Sequence, residues 1–511
     1  MKRTVKDLKI EIRPPVRVLT AVAAYDGHDA SILAINRTLR DSGFPVEVIY
    51  MGFNKKVNEI TQAAVQEGVE CVAVSSYNGG HNYFFPSLVQ EIKKAGSPAI
   101  VVGGGGGTIV QKDEKYIESK GVAKIYGVNW SLKAIAEDIY KRAKDVGCEL
   151  RLEEVLEAAK KGKDWALSEM LNLAELKPLY EKKKGKGCEE CKLIDKTIEK
   201  FIYNPNIKKK GKVVFVTGDG GAGKSTILDE IVKKFYKDFE GKRRVAVLSL
   251  DPSTKGTKGV SALLGDRVRM NNIYRPSVFM RSMATRAPYA PLSPSLKDAV
   301  GILRAGGFDL ILVETPGTGQ AGVDLSEFEP DAVVYVKTKE FGSVQVQLQK
   351  DQMLREAHII VLNKIDREGS QTVFEQISEI VKSQKKGQRV YATQAKLAKD
   401  PGTHDLYVGI LEKVGIRSEK FKPTGKDPFK ELKYTGIVPH SRRNYLAQIV
   451  EAVRRYDRWV EEQLEIARKD PEKLDPYCKD LLKNWRKKWE EMTVGKAKDS
   501  CEKCELDYVS F

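Results

Sequence analysis

No run in this chain approaches the roughly 18 apolar residues that a membrane-crossing helix needs, so a helical span is excluded. The opening Met1-Lys2-Arg3-Thr4-Val5 lacks the apolar core of a secretory signal. Cysteine is sparse, seven in 511 residues, which excludes a disulfide scaffold and points to a reducing interior. These absences predict a cytoplasmic protein. A net charge of +17 invites a nucleic-acid partner, yet no helix-turn-helix, zinc-finger or aromatic RNA-binding signature accompanies it. The excess lies largely in 182–186, 192–212 and the C-terminal stretch. It reads as solvated connector faces, with a share left for docking an acidic or phosphate-rich partner. Neither nucleic acid nor membrane is expected as a partner.

What the chain does have is a phosphate loop. Gly218-Asp219-Gly220-Gly221-Ala222-Gly223-Lys224-Ser225 follows the apolar run 213–216 and leads into a helical pattern over 227–235. That is G-x-x-x-x-G-K-S in the strand–loop–helix setting it requires. The glycines let backbone amides wrap the β- and γ-phosphates at a helix N-terminus. Lys224 would reach the phosphates and Ser225 would hold magnesium. Asn363-Lys364-Ile365-Asp366 follows a second apolar run, 358–362. An Asp at its end can accept from the ring N–H and exocyclic amine of guanine, a donor pair adenine does not offer. The expected nucleotide set is Gly218, Gly220, Gly221, Ala222, Gly223, Lys224, Ser225, Thr226, Asn363, Lys364, Asp366, Thr393 and Ala395.

Three acids sit at ends of apolar runs or just beyond a glycine-containing loop: Asp251, Asp266 and Glu314. Magnesium prefers oxygen ligands and keeps waters, so Ser225 with two of these acids would suffice. Glu314 opens a glycine-containing switch loop that ends at Gly319-Gln320, which makes Lys224, Glu314 and Gln320 the expected catalytic groups.

The N-terminal third alternates apolar strands (16–24, 46–50, 71–75, 99–102) with amphipathic helices (32–41, 57–68, 85–95). This predicts a parallel α/β sheet with helices on both faces. Ligands of such sheets bind beyond the C-terminal strand ends. Asp26-Gly27-His28-Asp29, Ser75-Ser76-Tyr77 and the glycines Gly103–Gly107 all fall there. Asp26 can hydrogen-bond the His28 nitrogen that faces away from a metal, fixing the tautomer. With no second His or Cys at chelating spacing, a single imidazole suits a metal already held by a macrocycle.

At these residues a resemblance becomes specific. Asp26-Gly27-His28-Asp29-Ala30-Ser31, Val74–His81 and Val102–Gly107 resemble the cobalamin-binding domain of acyl-CoA mutases. The resemblance implies a flavodoxin- or Rossmann-like domain in which His28 is the lower cobalt ligand and Asp26 its orienting partner. Ser75, Ser76, Tyr77 and Gly103, Gly104, Gly105 and Gly106 would line the pocket for the displaced nucleotide tail. Ser31 and Tyr77 depart from the family's usual Gly and Leu. The phosphate loop, Asp251-Pro252-Ser253, Gly265–Met270, Glu314–Gln320 and Asn363–Asp366 resemble the GTPase chaperone of the same mutases. The order of the two is similar to fused isobutyryl-CoA mutases, which implies adenosylcobalamin, GTP or GDP, and Mg2+ as cofactors.

The expected organisation is an N-terminal tail (1–15), the cobalamin-binding domain (16–148), a helical and basic connector (149–211), the P-loop GTPase (212–415) and a helical extension (416–511). A (β/α)₈ substrate barrel needs roughly 250 residues, and the segment after the GTPase is too short for one. The expected partner is therefore a separate barrel subunit, with self-association through the C-terminal helices. The other reading is a GTP-dependent carrier that delivers cobalamin to a complete mutase. Two C-x-x-C pairs, Cys188/Cys191 and Cys501/Cys504, could close a four-thiolate zinc site; free surface thiols are the plainer reading.

Overall fold

A computed structural model describes residues 15–146, 152–205, 207, 211–252, 261–286, 292–317, 324–339, 356–384, 387–430, 432 and 445–493. The chain divides into a large unit, 1–433, and a C-terminal unit, 434–511.

The large unit opens with β1 (Val16–Val22), α1 (Ala30–Asp41), β2 (Val46–Tyr50), α2 (Val57–Glu67), β3 (Cys71–Ser75), α3 (His81–Lys94), β4 (Ile100–Gly104), α4 (Gln111–Ser119), β5 (Lys124–Tyr126) and α5 (Leu132–Lys144). β1 and β3 are buried along their whole length, as strands covered by helices on both faces must be. α1 buries Ile32, Ile35, Asn36 and Leu39, one stripe at helical spacing. All five strands are parallel and run β5-β4-β3-β1-β2, the doubly wound order whose direction reverses at β1 and β3. That reversal opens a crevice above the strand ends, where His28 and the glycines lie.

Three helices follow, α6 (Leu152–Lys160), α7 (Asp164–Lys184) and α8 (Glu189–Ile202). They are no loose connector: Leu167, Met170, Leu171, Tyr180, Ile194 and Phe201 are buried in one core with the next sheet. The chain continues with β6 (Lys212–Gly218), α9 (Lys224–Asp238), β7 (Val245–Asp251), β8 (Ala262–Leu264), α10 (Asp266–Arg269), β9 (Val278–Ala284), α11 (Leu296–Ala305), β10 (Leu310–Glu314), β11 (Ala332–Lys337), β12 (Ile359–Asn363), α12 (Ser370–Gln384), β13 (Arg389–Thr393) and α13 (Pro401–Lys413). Seven parallel strands run β13-β12-β11-β6-β10-β7-β9, which sets the phosphate loop after a central strand.

β8 does not join this second sheet. It pairs in parallel with β2 and becomes the sixth strand of the first. The two sheets are also tied by a buried ionic cluster in which Arg17, Glu47, Glu67, Glu175, Arg267, Arg281 and Arg286 alternate in sign.

The C-terminal unit contains α14 (Tyr445–Lys469) and α15 (Pro476–Thr493), joined by the turn Pro471–Lys473 with Leu474 buried. Ile449, Val453, Tyr456, Leu464, Leu481, Trp485 and Trp489 remain exposed along them. No helix among the described residues is long and apolar enough to cross a membrane.

Candidate functional site

The first site grows from the turn after β1. Asp26 is buried, and its Oδ1 accepts from the His28 amide (2.9 Å) and the His28 Nδ1 (2.7 Å), while Oδ2 accepts from the Tyr77 amide. Burial alone would raise this carboxyl, but the Tyr77 and His28 amides and the His28 ring outweigh it and hold it below its ordinary value. An ionised Asp26 makes Nδ1 the donor, so Nε2 keeps its lone pair on a side chain that is 77% exposed. Asn78 braces the turn, donating to the Ala24 carbonyl (2.6 Å) and accepting from the Gly80 amide (3.0 Å).

Beside His28 lies a cavity of about 300 Å³ lined by Ser31, Ser75, Tyr77 and Gly103–Gly106. Gly105 passes so close to β3 that a Cβ there would stand 2.0 Å from the Ser76 carbonyl oxygen. Gly106 has φ +53° and lies against the Tyr77 ring, which also packs 5.6 Å from the His28 ring. Ser31, the departure noted in the sequence, places its hydroxyl 3.3 Å from that of Ser75. The cavity also takes Ile32, Ile35, Tyr126 and Trp130, which the sequence did not single out. The amphipathic stripe of α1 was the available signal for the isoleucines. Ser76 is buried but does not line the cavity; its hydroxyl donates to Asn78. Asp29 is the N-cap residue of α1, where its side chain makes no capping bond, and its amide bonds Gly27. An exposed imidazole nitrogen, a pinned tautomer and a largely apolar slot walled by backbone fit a cobalt macrocycle with its tail displaced.

The second site lies at the end of β6. Gly218 (φ +136°) runs against β11, where a Cβ would meet the Val336 carbonyl oxygen at 2.0 Å. Lys224, at the start of α9, is buried, and its Nζ donates to the carbonyls of Gly218 (2.9 Å) and Asp219 (3.0 Å). Burial lowers its pKa. Thr226 follows in the same helical turn, half-buried. Gly317 closes on the loop, with room for no Cβ against Gly220.

Ser225 Oγ donates to Glu314 Oε1 (2.7 Å), and Asp251 Oδ2 accepts from the Gly265 amide (3.1 Å). Asp266 is paired with Arg269. Burial, then the Asp266 charge, pushes both Asp251 and Glu314 up to about 7. The acids thus crowd one region, yet among the described residues no three metal-binding side chains converge at ligand distance. Gln320 lies outside the described residues.

Asn363 is a brace. Its Nδ2 donates to the Ala222 carbonyl (2.8 Å), and its Oδ1 accepts from Thr393 Oγ1 (3.0 Å) and the Ala395 amide (3.2 Å). Lys364, at φ +61°, reaches back to the Gly221 carbonyl (2.7 Å). These contacts lock the end of β12 onto the phosphate loop, and Asp366 lies half-buried just beyond.

Cys188 and Cys191 form a disulfide at the start of α8, with Cα atoms 5.1 Å apart, within the usual range for such a bond. A bonded pair offers no thiolate to zinc, and Cys501 and Cys504 lie outside the described residues.

A P-loop GTPase packed on a cobalamin-binding domain is the class these two sites define. The model of the methylmalonyl-CoA mutase-associated GTPase MeaB matches residues 203–428, and that of the B12 binding domain matches 16–129. A Pyrococcus abyssi protein that bears a GTPase name is 33% identical over 299 residues, which is 56% of this chain and 85% of the relative. The chain belongs to the MeaB GTPase family, with a B12-binding domain joined ahead of the GTPase. Fused isobutyryl-CoA mutase of Geobacillus kaustophilus is 36% identical over 473 residues, 89% of this chain and 42% of the relative. That of Cupriavidus metallidurans is 35% identical over 468 residues, with 89% and 41% covered. The chain thus spans about two-fifths of the length of these curated relatives. Among solved structures, a LAO/AO transport system kinase covers 66% of this chain and 97% of its own at TM-score 0.36 and 18% identity, too slight a likeness to argue from.

Proposed function

We propose that this chain is the cobalamin-carrying subunit of a heteromeric, adenosylcobalamin-dependent acyl-CoA mutase, with the GTPase that gates cofactor loading attached. The observation that carries the reading is the Asp26–His28 pair, which leaves Nε2 exposed beside a cavity of about 300 Å³. Adenosylcobalamin supplies the radical chemistry by which a group migrates between adjacent carbons of an acyl-CoA. His28 holds the cobalt, Asp26 fixes its tautomer, and Ser75, Tyr77 and Gly103–Gly106 enclose the tail.

On the second sheet, Ser225 with two of Asp251, Asp266 and Glu314 would hold Mg2+ on the phosphates. Lys224 stabilises charge on them, and Gln320 orients water. Asp366 selects guanine. The substrate barrel of the proposed enzyme belongs to a separate chain. The exposed apolar residues of α14 and α15 support self-association through that unit. We place the protein in the cytoplasm. Metal analysis of reduced protein against the quadruple-Ser variant decides whether the C-x-x-C cysteines take zinc.

The test is isolation of the native protein from its source cells in adenosylcobalamin and GDP. A near-stoichiometric chain carrying a (β/α)₈ barrel, together with hydrogen exchange between cofactor and acyl-CoA, is expected. A lone chain that hands cofactor to a complete mutase would instead make it a delivery chaperone.

A further inference from the structure

One short piece of chain touches both sites. Residues 262–264 form β8 and zip onto β2, with Glu47 opposite Ala262, Val48 opposite Leu263 and Ile49 opposite Leu264. The next residue, Gly265, donates its amide to Asp251 in the acid region of the nucleotide site. Asp266, first residue of α10, belongs to that region, and its carboxylate raises both Asp251 and Glu314.

Arg267 binds in the other direction. It is fully buried, with Nε donating to Glu67 Oε1 (2.7 Å) and Nη2 to the Met280 carbonyl (2.7 Å). Glu67, at the end of α2, is also fully buried. It takes Arg17 Nη2 (2.7 Å) and the Ser282 amide (3.1 Å), and Arg17 in turn reaches Glu47 on β2 (2.5 Å). Buried charges persist only when each keeps its partners. α10 therefore cannot shift without unpairing Glu67 or carrying α2 along.

Val268 makes the second contact. It lies over Gly52 (φ +89°), close enough that a Cβ on Gly52 would touch it at 3.5 Å. Gly52 belongs to the β2–α2 loop, and the same loop holds the turn that carries His28. The Asn54 amide donates to the Asp26 carbonyl (3.2 Å), and Asn54 Oδ1 accepts from the Tyr25 amide (2.8 Å). From Asp266 to the Asp26–His28 turn the connection runs through one helical turn and one loop.

We propose that Arg267 is a positioning residue: by anchoring α10 on Glu67, it lets the first domain set where Asp266 stands, and so links cobalamin binding to Mg2+–nucleotide binding through the β2–α2 loop. The inference rests on the reading of Asp266 as a metal-site acid and of His28 as the cobalt ligand. Linkage of this kind is reciprocal, so each ligand changes the other's affinity by the same factor.

The test uses the full chain. Cobalamin affinity is measured by absorbance with and without GDP and Mg2+, and GDP affinity by calorimetry with and without cobalamin. The wild type should show the same change in both directions, at least about fivefold. Arg267→Met should bring that ratio to one and raise the Mg2+ needed for half-saturation, while metal-free GDP binding is kept; Arg267→Lys should recover part of it. Val268→Ala, on a partly exposed side chain, should shrink the ratio and decides the matter where Arg267→Met fails to fold. Two ligands that bind the wild type independently, or an unaltered ratio in folded Val268→Ala, would overturn the inference. A wild type that binds no cobalamin, or binds GDP with no Mg2+ dependence, would overturn the proposed function and this inference with it.

Discussion

Asp26 accepts from three donors in two loops, two on Oδ1 and one on Oδ2, and together they favour the ionised form. In Asp26→Asn, one accepting oxygen becomes an amine that faces donors. The cost should be about 1.5–3 kcal/mol of stability, with cobalamin affinity down about 10–100-fold; denaturation and absorbance titration measure the two. Lys224→Ala should abolish GTP hydrolysis and leave cobalamin binding intact, because the two residues serve different sheets.

The acids of the nucleotide site have their own pH signature. Asp251 and Glu314 titrate near 7 when folded, so the native state holds more protons than the unfolded chain between the ordinary carboxylate range and about 7. Stability of metal-free protein should therefore fall as pH rises through that window. Mg2+ competes with those protons, so apparent Mg2+–GDP affinity should rise across it and level off above. Titrations at about pH 5.5 and about pH 8 check both signs. His28, Asp26, Lys224 and Ser225 were legible in the sequence because a motif of a few residues carries each of them. Tyr126 and Trp130 were not, because a cavity wall is assembled across distant loops and leaves no local pattern.

Among elements, the phosphate loop depends on glycines for space as well as rotation. Gly223 has φ +96°, and a Cβ on it would stand 2.4 Å from Asn363 Nδ2. Gly223→Ala should break the Asn363 brace and lose GDP binding by calorimetry, with cobalamin absorbance unchanged. The strands read from apolar runs, among them β1 to β4, β6 and β12, were legible because parallel strands buried on both faces must be continuously apolar; β5, β9, β11 and β13 were not read. β8 escaped that reading. Three residues, Ala262–Leu264, are too few to carry a period, and their partner strand lies more than 200 residues earlier. Arg267 and Arg281 likewise look like surface arginines in the sequence, yet both are fully buried, because the carboxylates that hold them come from α2 and α7.

For the molecule as a whole, that buried ionic cluster changes what counts as a domain. The sequence suggests two modules on a connector; in the fold, α7 and the shared cluster join the two sheets. Residues 15–430 should unfold in one cooperative step that both cobalamin and GDP move upward, by calorimetry; two transitions, each moved by one ligand, would show independent modules.

The claim on which everything else stands is that His28 is the protein's bond to cobalt. Electron paramagnetic resonance of the full chain with the cobalt(II) form of cobalamin tests it, with histidine labelled by 15N. The account predicts a nitrogen splitting that changes with the label and disappears in His28→Ala. A splitting indifferent to the label, arising from the cofactor's own benzimidazole, would contradict it.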